Sequence, residues 1–230
     1  MSKKRIPLLL ALIGFLFILN QKANCETVSD QKKPVFFSLY GEGGWALSSF
    51  HSSNENLNPQ FSSISNFGLG AGVNMRFCKK ANDKRYAEDG LFAVQAGLLY
   101  TQSGFKVDEE KITGNYIGVP IYFQYYPKLY TPKKHQNSVG SPYVELGAEI
   151  WMNVGLSPSN AVFQGFNIDL DKHKANDFKI GIGAGYMHKF EKFGPIGISV
   201  KYLIGTSDFA ENLPWKGNQL RLTVFYRFGL

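Results

Sequence analysis

Apolar and polar residues alternate with a period of two along eight segments of this chain. Such a period places successive side chains on opposite faces of a β-strand, so each segment is predicted to be a strand with one apolar face. The last segment shows the pattern clearly, because Leu220, Leu222 and Val224 alternate with Arg221 and Thr223. The predicted strands cover residues 35–47, 66–77, 91–103, 115–127, 142–154, 178–190, 195–205 and 218–230.

Most of these strands are long enough to cross a bilayer, since a tilted strand needs about 9–11 residues. We therefore predict an all-β protein, an antiparallel eight-stranded up-and-down transmembrane β-barrel. An even number of strands puts both barrel termini on the periplasmic side. The connections at 48–65, 104–114, 155–177 and 206–217 would then face outward, and those at 78–90, 128–141 and 191–194 would face the periplasm.

Alternation alone does not say which face is inside, because a soluble lipocalin-type barrel has the same period with apolar residues inward. The glycines favour a transmembrane barrel over a soluble one. An eight-stranded barrel has little interior room, so a polar face with Gly beside bulky Tyr143 or Trp151 fits the inside. The apolar face, which carries no charge, would then meet lipid.

The polar face holds the candidate functional residues. Buried charges need partners, because an isolated charge in a dry interior is very costly. The eighth predicted strand neighbours the first and the seventh, which would bring Arg221 and Arg227 near Lys201 and Glu42. We predict an ion-pair network in the lumen formed by Glu42, Arg76, Glu145, Glu149, Lys179, Lys201, Arg221 and Arg227.

The amino terminus predicts export. Residues 1–25 resemble a signal peptide, with basic Lys3, Lys4 and Arg5 before an apolar core that is too short for a transmembrane helix. Cleavage before Glu26 would leave a short segment at 26–34 and a barrel domain at 35–230. A lipoprotein in which Cys25 is the lipidated residue is an alternative, although the residues before Cys25 fit a lipidation signal poorly. Once Cys25 is removed, Cys78 has no intramolecular disulfide partner.

The net charge argues against a nucleic-acid partner. The whole chain has a formal charge of +7, but the leader holds four basic residues and no acidic one, so the processed chain has 21 minus 18, or +3. A nucleic-acid partner loses its main support. The expected partners are the lipid of the outer membrane, the barrel-insertion machinery through the C-terminal strand, and an envelope protein recognised by the long connections.

Several segments carry a family resemblance. The stretches AGLLYTQSGFKV (96–107), YIGVPIYFQYY (116–126), PYVELGAE (142–149) and KIGIGAGY (179–186), with the closing 220–230, resemble PorT-like outer-membrane β-barrel proteins. The resemblance implies a small single-domain barrel of the Gram-negative cell envelope and an accessory role in protein secretion. Pro120 lies inside the fourth predicted strand, where it lacks a ladder donor. We predict a local bulge or kink there, and the Gly-Val-Pro strand is itself a feature of the family.

No motif predicts catalysis, a cofactor or a metal. The histidines at positions 51, 135, 173 and 188 have no recognisable Ser-His-acid motif around them, and the basic residues after Asp171 disfavour a calcium site. The sequence thus predicts an integral, non-enzymatic outer-membrane protein with a structural or interaction role. The alternatives are a lipid-modifying outer-membrane enzyme and a narrow pore or soluble-type ligand-binding barrel.

Overall fold

The computed structural model describes residues 35–52, 61–77, 92–107, 110–127, 140–157, 160–163, 166–169, 176–190, 194–208 and 215–228. These residues form β-strands and the turns beside them. Among them, no helix is long and apolar enough to cross a membrane. The strands are β1 (Val35–Ser52), β2 (Phe61–Phe77), β3 (Phe92–Val107), β4 (Glu110–Tyr125), β5 (Ser141–Ser157), β6 (Asn160–Phe163), β7 (Phe166–Asp169), β8 (Asn176–Phe190), β9 (Gly194–Gly205) and β10 (Trp215–Phe228).

Eight of these strands close into an antiparallel barrel, in the order β1-β10-β9-β8-β5-β4-β3-β2. Each strand pairs with the next barrel strand along the chain, and β10 pairs with β1 to complete the cylinder. The predicted eight-stranded up-and-down barrel is confirmed. The short strands β6 and β7 pair only with each other, as a hairpin inserted between β5 and β8. The sequence did not predict this hairpin, which falls in the expected 155–177 connection.

We call the end of the barrel with Val35 and Phe228 the termini end and the opposite end the loop end. At the loop end most strands run further than the sequence predicts. β1 continues to Ser52, and only residues 108 and 109 separate β3 from β4. The predicted 48–65 and 104–114 connections are therefore too long. Alternation gives no signal there, because Ser62, Ser63 and Ser65 are polar on both faces of β2.

Of the bulge or kink that the sequence predicts at Pro120, the bulge is wrong. On the β3 side the pairs Ala96↔Ile121 and Leu99↔Gly118 share one register, and only the two pairs between them are missing. On the β5 side Pro120 pairs with Glu149 in an unbroken run. The missing N–H of proline thus interrupts one ladder without moving the strand. The register shift in β4 lies between Asn115 and Tyr116 instead.

The two faces of the barrel differ as predicted. Apolar side chains face outward, and Leu146 and Ile182 are each 59% exposed at the surface. Glycines face the lumen where rings need room. A Cβ atom on Gly185 would lie 2.4 Å from the Tyr143 ring, and one on Gly147 would lie 2.2 Å from the Ile121 carbonyl oxygen. The side chains of the lumen therefore pack directly against the backbone of these glycines.

Exposed aromatic rings form a girdle at each end of the apolar belt. On β1 Trp45 lies eight positions after Phe37, and on β2 Phe77 lies ten positions after Phe67. For tilted strands these spacings correspond to about 20–25 Å along the barrel axis, close to the apolar height of an outer-membrane barrel. The indole N–H of Trp45 donates a hydrogen bond to Ser65 Oγ. Such rings suit the boundary between hydrocarbon and headgroups.

Several predictions lie outside the described residues. They are the signal peptide at 1–25, the segment at 26–34, Cys78, and the last two residues of the predicted final strand.

Candidate functional site

All eight charged residues predicted for the lumen lie on the inward face of the barrel. None of them is more than 6% exposed. Glu42 lies on β1 and Arg76 on β2, and the other six lie on β5, β8, β9 and β10. The structure brings them together in three ion-paired groups along the axis, followed by two arginines at the termini end.

Glu149 on β5 and Arg221 on β10 form the most complete pair. Arg221 Nη1 lies 2.9 Å from Glu149 Oε1, and Nη2 lies 3.1 Å from Oε2, so the guanidinium and the carboxylate form a bidentate ion pair. Tyr122 Oη and Trp151 Nε1 each donate to the same carboxylate at 2.7 Å. Gln219 Oε1 accepts two further hydrogen bonds from the guanidinium. Buried charge is tolerated here because every partner is hydrogen-bonded.

Lys201 on β9 lies between two carboxylates. Its Nζ is 3.6 Å from Glu42 Oε2 and 3.7 Å from Glu145 Oε1, and it also lies 4.5 Å from the centre of the Tyr122 ring. Arg221 is the direct partner of Lys201 across β9 and β10. The two like charges are adjacent, so the carboxylates around them offset a repulsion that would otherwise destabilise the strand pair.

Lys179 on β8 forms the third group, nearest the loop end. Its Nζ lies 2.7 Å from Asp177 Oδ2 and donates to the Gly217 carbonyl oxygen at 2.6 Å. The ammonium also lies 4.6 Å from the centre of the Trp151 ring. Asp177 is the most accessible carboxylate of the network, with its side chain 23% exposed.

The termini end holds the two remaining arginines. Arg76 lies 4.3 Å and Arg227 5.9 Å from the centre of the Tyr126 ring. Arg227 does not reach Lys201 or Glu42, because the β1–β10 register sets it opposite Tyr40. Its Nη2 instead donates to Gln124 Oε1 at 3.1 Å and to Tyr126 Oη at 2.8 Å.

Uncharged polar groups and rings fill the lumen towards the loop end. Asn66 Nδ2, Ser103 Oγ and Gln219 Nε2 all lie within 3.2 Å of Ser48 Oγ. Beyond them the rings of Phe50 and Phe105 lie 4.6 Å apart. Side chains of β1, β2, β3 and β10 thus meet across the cylinder, and this packing can close the lumen to solutes.

Sequence reasoning missed several partners of the charged residues. Asp177, Trp151 and Gln219 each lie two positions from a predicted lumen charge, and Tyr122 and Gln124 lie on the same inward face of β4. A period of two places residues i and i+2 on one face, so the sequence already indicated that these side chains face the lumen. It shows which side chains share the lumen. It does not show which of them meet across it.

The described histidines do not assemble a hydrolytic site. His51 is exposed near the loop end, whereas His188 lies near the termini end with its ring 4.5 Å from that of Phe190. His135 and His173 lie outside the described residues. Within the described ranges no three His, Cys, Asp or Glu side chains come together as metal ligands.

Comparison with known proteins gives a family match. The family model described as "Outer membrane protein beta-barrel domain" matches residues 9–228, which is nearly the whole chain. No curated protein matches the chain.

Three solved structures are similar over most of their length. Neisserial surface protein A is 16% identical, with a TM-score of 0.43, and the alignment covers 84% of this chain and 99% of that one. Ail, the attachment invasion locus protein of Yersinia pestis, is 16% identical with a TM-score of 0.39 and the same coverage, 84% and 99%. The outer membrane enzyme PagL is 10% identical with a TM-score of 0.38, covering 82% and 99%.

Proposed function

This chain belongs to the outer membrane protein beta-barrel domain family, and we propose that it acts there as a closed-lumen structural or interaction protein. It is an integral β-barrel of the outer membrane. The proposal rests on the lumen, where three ion-paired groups and the Tyr122, Tyr126 and Trp151 side chains fill the interior. In the proposed orientation the termini end faces the periplasm and the loop end faces outward.

The filled lumen argues against a pore. Eight strands leave an interior just wide enough for side chains. Here the bidentate ion pair between Arg221 and Glu149 spans the centre of that interior. We propose no catalytic role either, since neither His51 nor His188 hydrogen-bonds to a carboxylate or hydroxyl in the described part of the chain. The residues of the network therefore act as structural ion pairs in this proposal.

Purified protein in a planar lipid bilayer is expected to show no large, steady conductance. The physical reason is that the Arg221–Glu149 pair and the side chains of Tyr122 and Trp151 occupy the centre of the lumen, and separating a buried ion pair is costly. Single-channel recording measures this directly. A porin reconstituted in the same bilayer is the control. Stable open steps of porin size from this protein would contradict the closed-lumen proposal.

For partners, we propose membrane lipid around the belt and an envelope protein at the loop end. The resemblance to PorT-like barrels makes components of a protein-secretion apparatus the first class to test. The outward positions of β10 from Leu220 to Phe228 are apolar, which supports recognition of this strand by the barrel-insertion machinery. Membership of the PorT-like group stays a prediction from the sequence.

A photo-crosslinking residue at Ser63, exposed at the loop end, is expected to form a protein adduct in intact cells. The same residue at Ile182, within the apolar belt, is the matched control and is expected to react with lipid alone. Mass spectrometry identifies the adducts. Secretion components at position 63 would support the accessory role. Adducts that lack them, or the same adducts from position 182, would contradict it.

A further inference from the structure

The outward face of the β3–β4 hairpin becomes polar where the apolar belt ends. Its last apolar cross-strand pair is Tyr100↔Ile117, and both side chains are exposed. The outward pairs that follow toward the loop end are Gln102↔Asn115, Gly104↔Thr113 and Lys106↔Lys111. We call the side chains of these outward pairs the hairpin patch. The patch thus continues the lipid-facing surface of the same two strands.

Lys106 and Lys111 form a like-charged pair within the hairpin patch. They lie directly opposite each other in the β3–β4 ladder, and both side chains are exposed. Of the lysine and arginine side chains that the structure describes, only these two are exposed, and the ion pairs formed in that part of the chain include neither. Like charges directly opposite each other destabilise a strand pair. An anion between the two ammonium groups would offset that repulsion.

The rest of the hairpin patch supplies neutral donors on the same face. Asn115 Oδ1 accepts hydrogen bonds from Tyr100 Oη at 2.8 Å and from Gln102 Nε2 at 3.0 Å. These two bonds orient the Asn115 amide and leave the N–H groups of its Nδ2 available. The hydroxyl of Thr113 lies between Asn115 and Lys111 on the outward face of β4. Ammonium, amide and hydroxyl donors are the groups that bind phosphate oxygens in proteins.

The height of the hairpin patch above the belt indicates which kind of phosphate can reach it. Lys106 and Lys111 lie six positions beyond Tyr100 and Ile117, or about 15 Å along the axis for tilted strands. The headgroup layer of a phospholipid extends only about 5–8 Å beyond the hydrocarbon. The long lysine stems can fold back toward the belt, which brings the ammonium groups to the outer edge of that layer. A phosphate on a thick saccharide headgroup lies at this height.

We propose that the hairpin patch binds a phosphate group on the saccharide headgroup of an outer-leaflet glycolipid. Lys106 and Lys111 bind the phosphate, while Thr113 and Asn115 donate hydrogen bonds to phosphate or saccharide oxygens. The acyl chains of the same lipid lie against the apolar belt below the patch. The inference rests on the proposed function for the orientation alone, because the loop end must face outward.

The test uses the purified, folded protein in detergent micelles, with diphosphoryl lipid A as the probe and native mass spectrometry to measure the bound fraction. The wild type is expected to bind this lipid about tenfold more tightly than dephosphorylated lipid A or phosphatidylglycerol. The double variant Lys106→Gln with Lys111→Gln should lose about tenfold in affinity for diphosphoryl lipid A. The matched control is His51→Gln with Lys216→Gln, another cross-strand pair at the loop end, which should keep the wild-type affinity.

Equal affinity of the wild type and the Lys106→Gln, Lys111→Gln variant would overturn the proposal. That result is expected if the acidic residues at 108–110 already neutralise the lysines. Equal binding of the phosphorylated and dephosphorylated lipids, or of phosphatidylglycerol, would overturn it as well. Displacement of the lipid by millimolar inorganic phosphate would assign the patch to free phosphate and contradict a lipid site. These outcomes leave the closed lumen untouched, since the conductance measurement tests it separately.

Discussion

Replacing Glu149 by Gln is expected to lower the free energy of unfolding by about 3–5 kcal/mol, the range for removing one partner of a buried ion pair. The variant keeps the shape of the side chain but leaves the Arg221 guanidinium, 1% exposed, without its counter-charge. Only one acceptor oxygen would then serve Arg221, Tyr122 and Trp151. Urea unfolding of the barrel in lipid vesicles measures the loss.

Two matched variants separate the ion pair from a general loss of packing. The double variant Glu149→Gln with Arg221→Gln removes both charges and should be more stable than Glu149→Gln alone. Glu145→Gln should cost less, because Lys201 keeps Glu42 at 3.6 Å. An unfolding midpoint of Glu149→Gln equal to that of the wild type would show that the network does not hold the lumen together.

The sequence predicted the barrel because its strongest signal, period two, is a property of single strands. Each strand of the belt meets lipid on one side and the lumen on the other, so the alternation is uninterrupted between the two girdles. Beyond the loop-end girdle the outward face of a strand meets water instead of hydrocarbon, while the lumen face mixes buried polar and apolar residues such as Ser103 and Phe105. Ser63, Thr113 and Asn115 therefore gave no alternation, and the strand ends and the β6–β7 hairpin were missed.

The partners within the lumen were harder to predict for a different reason. Strand neighbours follow from the order of a meander, which is why Arg221 beside Lys201 could be expected. The Arg221–Glu149 contact joins β10 to β5, and these strands are separated by β9 and β8. Such contacts depend on the reach of long side chains across the cylinder. The same reach brings Arg227 to Gln124 rather than to Glu42.

Replacing Ile182 by Arg is expected to destabilise the barrel by about 2–4 kcal/mol, because the charge would lie near the midplane of the bilayer. Ile182 is 59% exposed on β8 and lies midway between the aromatic residues Phe178 and Tyr186. Arginine at Asn176 is the matched control. That position is on the same strand and the same outward face, but beyond Phe178, where the expected cost is about 0–1 kcal/mol.

The central claim is that the apolar face of this barrel meets hydrocarbon while its charges are paired inside. The difference in unfolding free energy between Ile182→Arg and Asn176→Arg, measured in lipid vesicles, tests that claim most directly. We predict a clear penalty at position 182 and little change at position 176. Equal and small effects at both positions would mean that water, not lipid, covers the belt, and would contradict the claim.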